Sequence, residues 1–233
     1  MKKKIIIKSS FELIAIIVGI TLSLWVNEYQ NFRSQSKHNI KTLKSIKSEI
    51  SKRKKYIENK VEQYERDIKI GNFTNSNRIS LSIDSLLSMT NSGRSLILTL
   101  KAYRAINLPI SVYNSLSSDG SIGKLRDDSI KIKIDDIYEV TPSHIDDEIQ
   151  NEQYLYHHFN EFIIHNYPEL IKDQNSKYPQ KILSLFFKDK VVLGFIDEKN
   201  HIRKFILRLL KSYLNKIIET DLAIEKIIIS YNI

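Results

Sequence analysis

His157, His158, Glu161 and His165 come closest, in type and spacing, to a set of residues that could do chemistry. On a helix, His158, Glu161 and His165 stand at i, i+3 and i+7 and share one face, while His157 and Glu161 are an adjacent i, i+4 pair. Imidazole and carboxylate are suitable zinc or iron ligands, and helical bundles hold metals in this way. The run contains no His-Glu-x-x-His, and no second Glu-x-x-His completes a two-metal set. Its ordinary reading is a solvated polar face alternating with Tyr154, Leu155, Phe159, Phe162 and Ile163. The glycines and lysine of Ser117–Lys124 (SSDGSIGK) lack the spacing of a phosphate loop. They read as a turn between helices, with Gly120 at φ > 0. The acidic pairs Asp127-Asp128, Asp135-Asp136 and Asp146-Asp147 do not form a calcium loop. A chain without cysteine has no thiol nucleophile, disulfide or Cys-ligated metal. No motif calls for a cofactor.

The elements that must position these residues are helical. Six Gly and four Pro punctuate 233 residues, too few for the frequent turns of a sandwich or barrel. From Ser34 to Ile70 there is neither. There Ile40, Leu43, Ile50, Ile57, Val61, Tyr64 and Ile68 fit heptad a and d places, with Lys47 and Lys54 in two further a places. This predicts a stalk ending near Gly71-Asn72, able to pair with a second copy or with another helix of the same chain. Such a helix is predicted over Lys199–Tyr231, where Ile202, Ile206, Leu209, Tyr213, Ile217, Ile224 and Ile227 recur at helical spacing. Between them the pattern predicts helices over Ile79–Arg104 (bent at Gly93), Pro109–Ser118, Asp127–Val140 ending before Pro142, and Ser143–Tyr167 capped by Ser143. Leu183–Ile196 reads as strand or helix. The expected fold is mostly α.

Ahead of the stalk, Phe11–Val26 has one ionisable residue, Glu12, in sixteen positions. We expect a transmembrane anchor over residues 10–30, with Phe11, Trp25 and Tyr29 as its membrane contacts and Lys2, Lys3, Lys4 and Lys8 on lipid headgroups. Ser9-x-x-Glu12 matches a capping box at the start of that helix. The net charge of +9 lies wholly in residues 1–70, which hold 16 Lys and Arg against 7 Asp and Glu; the rest balances 20 against 20. Excess positive charge beside a span suits anionic lipid. The expected layout is a basic start (1–9), anchor (10–30), basic stalk (31–71), helical head (72–196) and C-terminal helix (197–233).

Glu12–Glu28 (ELIAIIVGITLSLWVNE) followed by a Lys-rich helix is similar to the N-terminus of an uncharacterised single-span family common in Bacteroidota. Tyr113-x-x-Leu116-x-x-x-Gly120-x-Ile122, then Leu125-Arg126 and Ile137-Tyr138, resembles a second signature of that family. The resemblance implies a helical inner-membrane protein and no activity. The leading expectation is a single-pass inner-membrane protein, its head outside the cytoplasm, with a non-enzymatic binding, sensing or assembly role. Its partners would be the bilayer, a second copy through the stalk, and a protein or small molecule. Two alternatives stand beside it. One is a membrane-tethered metal-dependent enzyme using His158, Glu161 and His165. The other is a nucleic-acid-binding basic stalk, which the neutral head disfavours.

Overall fold

The structure, a computed structural model, describes residues 2–76, 81–90, 96–171 and 180–231, with the backbone alone at 2–15 and at 180. It is mostly helical, with no strand among the described residues. Two long helices, α1 (Lys2–Ser76) and α8 (Lys190–Ser230), pack together. Shorter helices surround them: α2 (Ile83–Met89), α3 (Leu96–Lys101), α4 (Ser111–Ser118), α5 (Asp128–Asp135), α6 (Thr141–Asn166) and α7 (Gln180–Phe186).

The predicted heptad seam of α1 is rotated slightly: Ile40, Lys47, Lys54 and Val61 are only half-buried, and Ile46 and Arg53 join the face turned inward. Leu43, Ile50, Ile57, Tyr64 and Ile68 are buried, as are Ile206, Tyr213, Ile217 and Ile224 on α8. Of the two partners open to this seam, a helix of the same chain takes it. Lys47, at an a place, lies at the rim and pairs with Glu225 at 3.4 Å. Because α8 runs back along α1, its C-terminal turns sit beside the start of the buried stretch, and α1 projects beyond the body before Asn39.

The buried side chains form two apolar clusters. One joins α1, α4, α5, α6 and α8 around Ile46, Ile57, Ile134 and Leu210. The other gathers Leu86, Leu96, Phe159, Phe186 and Val192 at the far end. Between them, at the same level on α1, α6 and α8, lies a buried polar layer of Tyr64, Asp67, Glu152, Lys199 and Arg203.

Several sequence expectations change. No helix among the described residues is long and apolar enough to cross a membrane. That overturns the anchor over 10–30, the single-pass inner-membrane placement and the orientation argued from it. The physical shortfall is length: sixteen helical residues reach about 24 Å at 1.5 Å each, against a hydrocarbon core of about 30 Å. Asn27, Glu28, Asn31 and Arg33 then interrupt any extension of the run. The backbone is already helical from Lys2, so the helix does not begin at Ser9. At its other end α1 passes through Gly71 to Ser76, because a glycine admits α8 there: a Cβ would meet Asn200 Oδ1 at 2.8 Å. Asn200 Nδ2 instead donates to Asn72 Oδ1 at 2.8 Å.

The predicted helix over Ile79–Arg104 is two helices, α2 and α3, followed by non-helical backbone from Ala102; Gly93 lies outside the described residues. Asp127 caps α5 by accepting from Ile130 N at 3.1 Å. Pro142 does not stop a helix. The chain passes from α5 through a π-helical turn, Asp136–Val140, directly into α6, so Ser143 caps nothing. In π register the amide of residue 142 would serve the carbonyl of Ile137, and proline has no N–H to give. Arg53 and Tyr213 serve that carbonyl instead, at 2.5 and 2.6 Å. Leu183–Ile196 is helical, split between α7 and the first turns of α8, whose cap is Asp189 accepting from Val191 N at 2.7 Å. Gly120 sits at φ +75° in the turn after α4, as its place in the sequence predicts.

Candidate functional site

The non-helical strap from Ala102 to Ile110 cannot satisfy its own backbone, and α1 does much of this for it. Glu49, Arg53, Tyr56, Lys60, Gln63 and Asp67 step by four and three along one edge of α1. Lys60 Nζ donates to Ala105 O at 2.7 Å, and Asn107 N donates to Tyr56 Oη at 2.9 Å. The guanidinium of Arg53 donates twice to Pro109 O, at 3.0 and 2.7 Å. At the strap's end the carboxylate of Glu49 accepts from Val112 N and Tyr113 N, at 2.8 and 3.0 Å, and so covers the N-terminus of α4. At its start Arg104 forms a two-pronged pair with Asp67, at 2.5 and 2.7 Å.

The polar layer is continuous with this edge. Glu152 accepts from Arg203 Nε at 2.7 Å and from Tyr64 Oη at 2.9 Å. Arg203 also donates to the carbonyls of Thr99 and Ala102, and Lys199 to that of Lys101. Two cations of α8 thus cover the C-terminal carbonyls of α3, where the helix dipole favours positive charge. Lys199 Nζ is 3.8 Å from Glu152 Oε1. Burial first, and then the neighbouring Arg203 charge, push the Lys199 pKa down to about 7. Burial and the Glu152 carboxylate push the Tyr64 hydroxyl far up, so it stays a donor. Every member is hydrogen-bonded and almost wholly enclosed, so the layer's work is to fix the register of α1, α6 and α8.

Outside the strap, between it and the start of α6, lies a cleft of about 420 Å³. Ile106, Leu108, Ile110, Ile145 and Ile149 make its apolar wall. Asn107, Tyr138, Glu139, Ser143 and Asp146 supply its polar groups, with Arg53 behind them. The Arg53 guanidinium lies 3.9 Å from the Tyr138 ring centroid, and Tyr113 stacks on the same ring at 4.3 Å. The Tyr138 hydroxyl is buried with no partner in hydrogen-bond geometry. Burial first, and then the Glu49 carboxylate that the hydroxyl faces, raise its pKa.

Of the residues singled out from sequence, His157, His158, Glu161 and His165 lie exposed on α6. His158 packs edge-on against Tyr154 at 4.4 Å, and His157 against Tyr156 at 5.2 Å. Among the described residues no three His, Asp or Glu side chains converge as a metal cage requires. Trp25 and Tyr29 are exposed and stack on one another at 6.2 Å; the anchoring role given to them rested on the span. The side chains of Lys2, Lys3, Lys4, Lys8 and Phe11 lie outside the described residues. In the basic run Lys52-Arg53-Lys54-Lys55, Arg53 is buried, so the run is not one continuous basic surface. Sequence reasoning missed the ladder on α1 and the cleft. The ladder's period was there to find, but its partner, the strap, carries no pattern of its own. Comparison of the chain with family models, curated proteins and solved structures finds no match.

Proposed function

We propose that this is a non-enzymatic assembly protein whose copies join through the projecting part of α1. One observation carries the reading: between Ile16 and Phe32, ten large apolar side chains are exposed, and no other described element of the chain covers the part before Phe32. Apolar surface of this extent on a folded chain marks an interaction site.

A second copy is the partner that the register suggests. Stepped backward by heptads, the register passes from Leu43 through Ile40, Ser36 and Arg33 and then reaches Tyr29, Val26, Leu22 and Gly19. From Leu43 onward α8 occupies that seam, which leaves the earlier positions for a helix from outside the chain. A parallel pair of α1 helices would bury Leu22, Val26 and Tyr29 against their counterparts.

The test is sedimentation of the full chain against Leu22→Gln/Val26→Gln/Tyr29→Gln. These side chains are exposed, so the helical body should keep its melting temperature. Concentration-dependent dimers in the parent, at least tenfold weaker in the variant, are expected. Monomers throughout a micromolar range overturn the proposal, and so does a parent that floats with phospholipid vesicles in place of self-associating.

A further inference from the structure

We propose that the outer face of α1 is a docking ridge for the phosphate backbone of a nucleic-acid duplex, bound without regard to base sequence. Lys37, Lys41, Lys44, Lys52 and Lys55 follow one another along that face, with Ser48 filling the step between Lys44 and Lys52. All six are exposed, and they stand opposite the buried face of Leu43, Ile50 and Ile57. The buried Arg53 breaks the run Lys52–Lys55, yet the helix gathers the lysines from Lys37 to Lys55 into a single file about 27 Å long. None of the five forms a hydrogen bond or a salt bridge among the described residues. The one acid within residues 37–55 is Glu49, and it is turned into the body to accept from the α4 amides. Nothing on this face therefore neutralises the lysines. At the file's N-terminal end Lys37, Lys41 and Lys44 border, with Ser45 and Ser48, a recess of about 560 Å³ with room for phosphate groups.

Charge complementarity sets the partner. A duplex carries one negative charge per about 1.7 Å of its axis, so a ridge of this length meets phosphates throughout. Lysine and serine side chains bind phosphate oxygens and carry no base information when they do. The arginine and the asparagine of this stretch, Arg53 and Asn39, are buried, which leaves only point charges and hydroxyls outside. A single strand fits less well, because residues 37–55 hold no Phe, Tyr or Trp on which bases could stack. A bilayer also fits less well. A helix bound at a membrane surface buries an apolar face beside its lysines, and here Leu43, Ile46, Ile50 and Ile57 are already buried in the body. None of the five lysines is at a heptad a or d place, so the ridge stays open whether or not copies join through the extension.

The experiment is fluorescence anisotropy of the full chain with a labelled mixed-sequence duplex of about 20 base pairs, long enough to cover the ridge, over about 50 to 200 mM salt. We expect saturable binding at the low-salt end, equal for two unrelated sequences, with log K falling against log salt at a slope of about −3 to −5. Lys37→Gln/Lys41→Gln/Lys44→Gln should bind at least tenfold more weakly, with a slope smaller in magnitude by about 2 to 3. Lysine and glutamine have similar helix propensities, so the melting temperature of this variant should match the parent's. Lys188→Gln/Lys204→Gln/Lys226→Gln removes the same charge from exposed positions elsewhere and should bind within twofold of the parent. No saturable binding, equal losses in the two variants, or an unchanged slope in the ridge variant would overturn the proposal. So would tighter binding to the single strand, or to vesicles of phosphatidylcholine and phosphatidylserine at three to one, than to the duplex.

Discussion

Glu152 shows what a buried charge demands of its neighbours. It is fully enclosed, and Arg203, Tyr64 and Lys199 approach it from two other helices. Arg203→Met would leave that carboxylate facing only a phenol and the Lys199 amine. The expected cost is about 3–5 kcal/mol, the usual result of breaking a buried pair from one side, read as a lower urea midpoint with unchanged slope. Lys199→Met should behave differently. With Lys199 charged, the layer and the adjoining Arg104 hold three cations, Arg104, Arg203 and Lys199, against the two anions Asp67 and Glu152. Removing Lys199 evens that balance and loses one hydrogen bond to Lys101 O. A lysine whose folded pKa lies below its unfolded value takes up a proton more readily when unfolded. Between pH 7 and about 10 the unfolded chain therefore holds more protons, and stability rises with pH across that window, by at most about 1.4 kcal/mol per pH unit. Below pH 7 the cost of burying the charge is present in full. Urea midpoints of the parent should climb from pH 7 to pH 9, and those of Lys199→Met should show less of this climb. A parent whose midpoint falls over that interval would contradict the assignment.

At the scale of elements, what was legible and what was not follow from where the partners sit. The α1–α8 pairing, the helix start at Asp127 and the Gly120 turn are decided by residues close in sequence, or by a period that any apolar partner can read. The ends of elements are not. Pro142 reads as a stop because the local rule is sound; the helix runs on because Arg53 and Tyr213, from two distant helices, take the carbonyl that the proline leaves unmet. In sequence the strap reads as two helix ends, Ala102–Arg104 and Pro109–Ile110, joined by a short connection, because the backbone partners that hold it extended lie about 50 residues upstream. The cleft was invisible for the same reason, since its walls come from the strap, the π-helical turn and the start of α6. Gly71 shows the same dependence on a distant partner and can be tested. An alanine there gains helix propensity of up to about 1 kcal/mol, but its methyl group would stand 2.8 Å from Asn200 Oδ1. The clash should prevail, so Gly71→Ala alone is expected to destabilise by about 1 kcal/mol. In an Asn200→Ala background, where that oxygen is gone, the same substitution should stabilise by a similar amount. Thermal melts of the four proteins in this cycle supply the sign. Destabilisation in both backgrounds would show that the Cβ of residue 200, 3.4 Å away, and not the asparagine amide, sets the limit at this crossing.

The whole molecule divides at Asn39. Behind it α1 is coated on its seam by α8 and along one edge by the strap. Ahead of it the same unbroken helix has almost nothing to lean on; the stacking of Arg126 on Phe32, 4.0 Å from the ring centroid, marks the edge of the body. A helix without tertiary support is marginal in water, since most helical stability in proteins comes from packing. Amide hydrogen exchange should therefore be fast over residues 16–31 in dilute monomer and slow over 43–68, although both belong to one helix. If copies join through Leu22, Val26 and Tyr29, protection over 16–31 must rise with protein concentration, following the population of the dimer, while protection over 43–68 stays fixed. The Leu22→Gln/Val26→Gln/Tyr29→Gln variant should keep the fast pattern at every concentration. Protection over 16–31 that is high in dilute protein and independent of concentration would place the segment's partner within the same chain. Protection that rises over 43–68 as well would mean that the copies meet along the body and not at the extension.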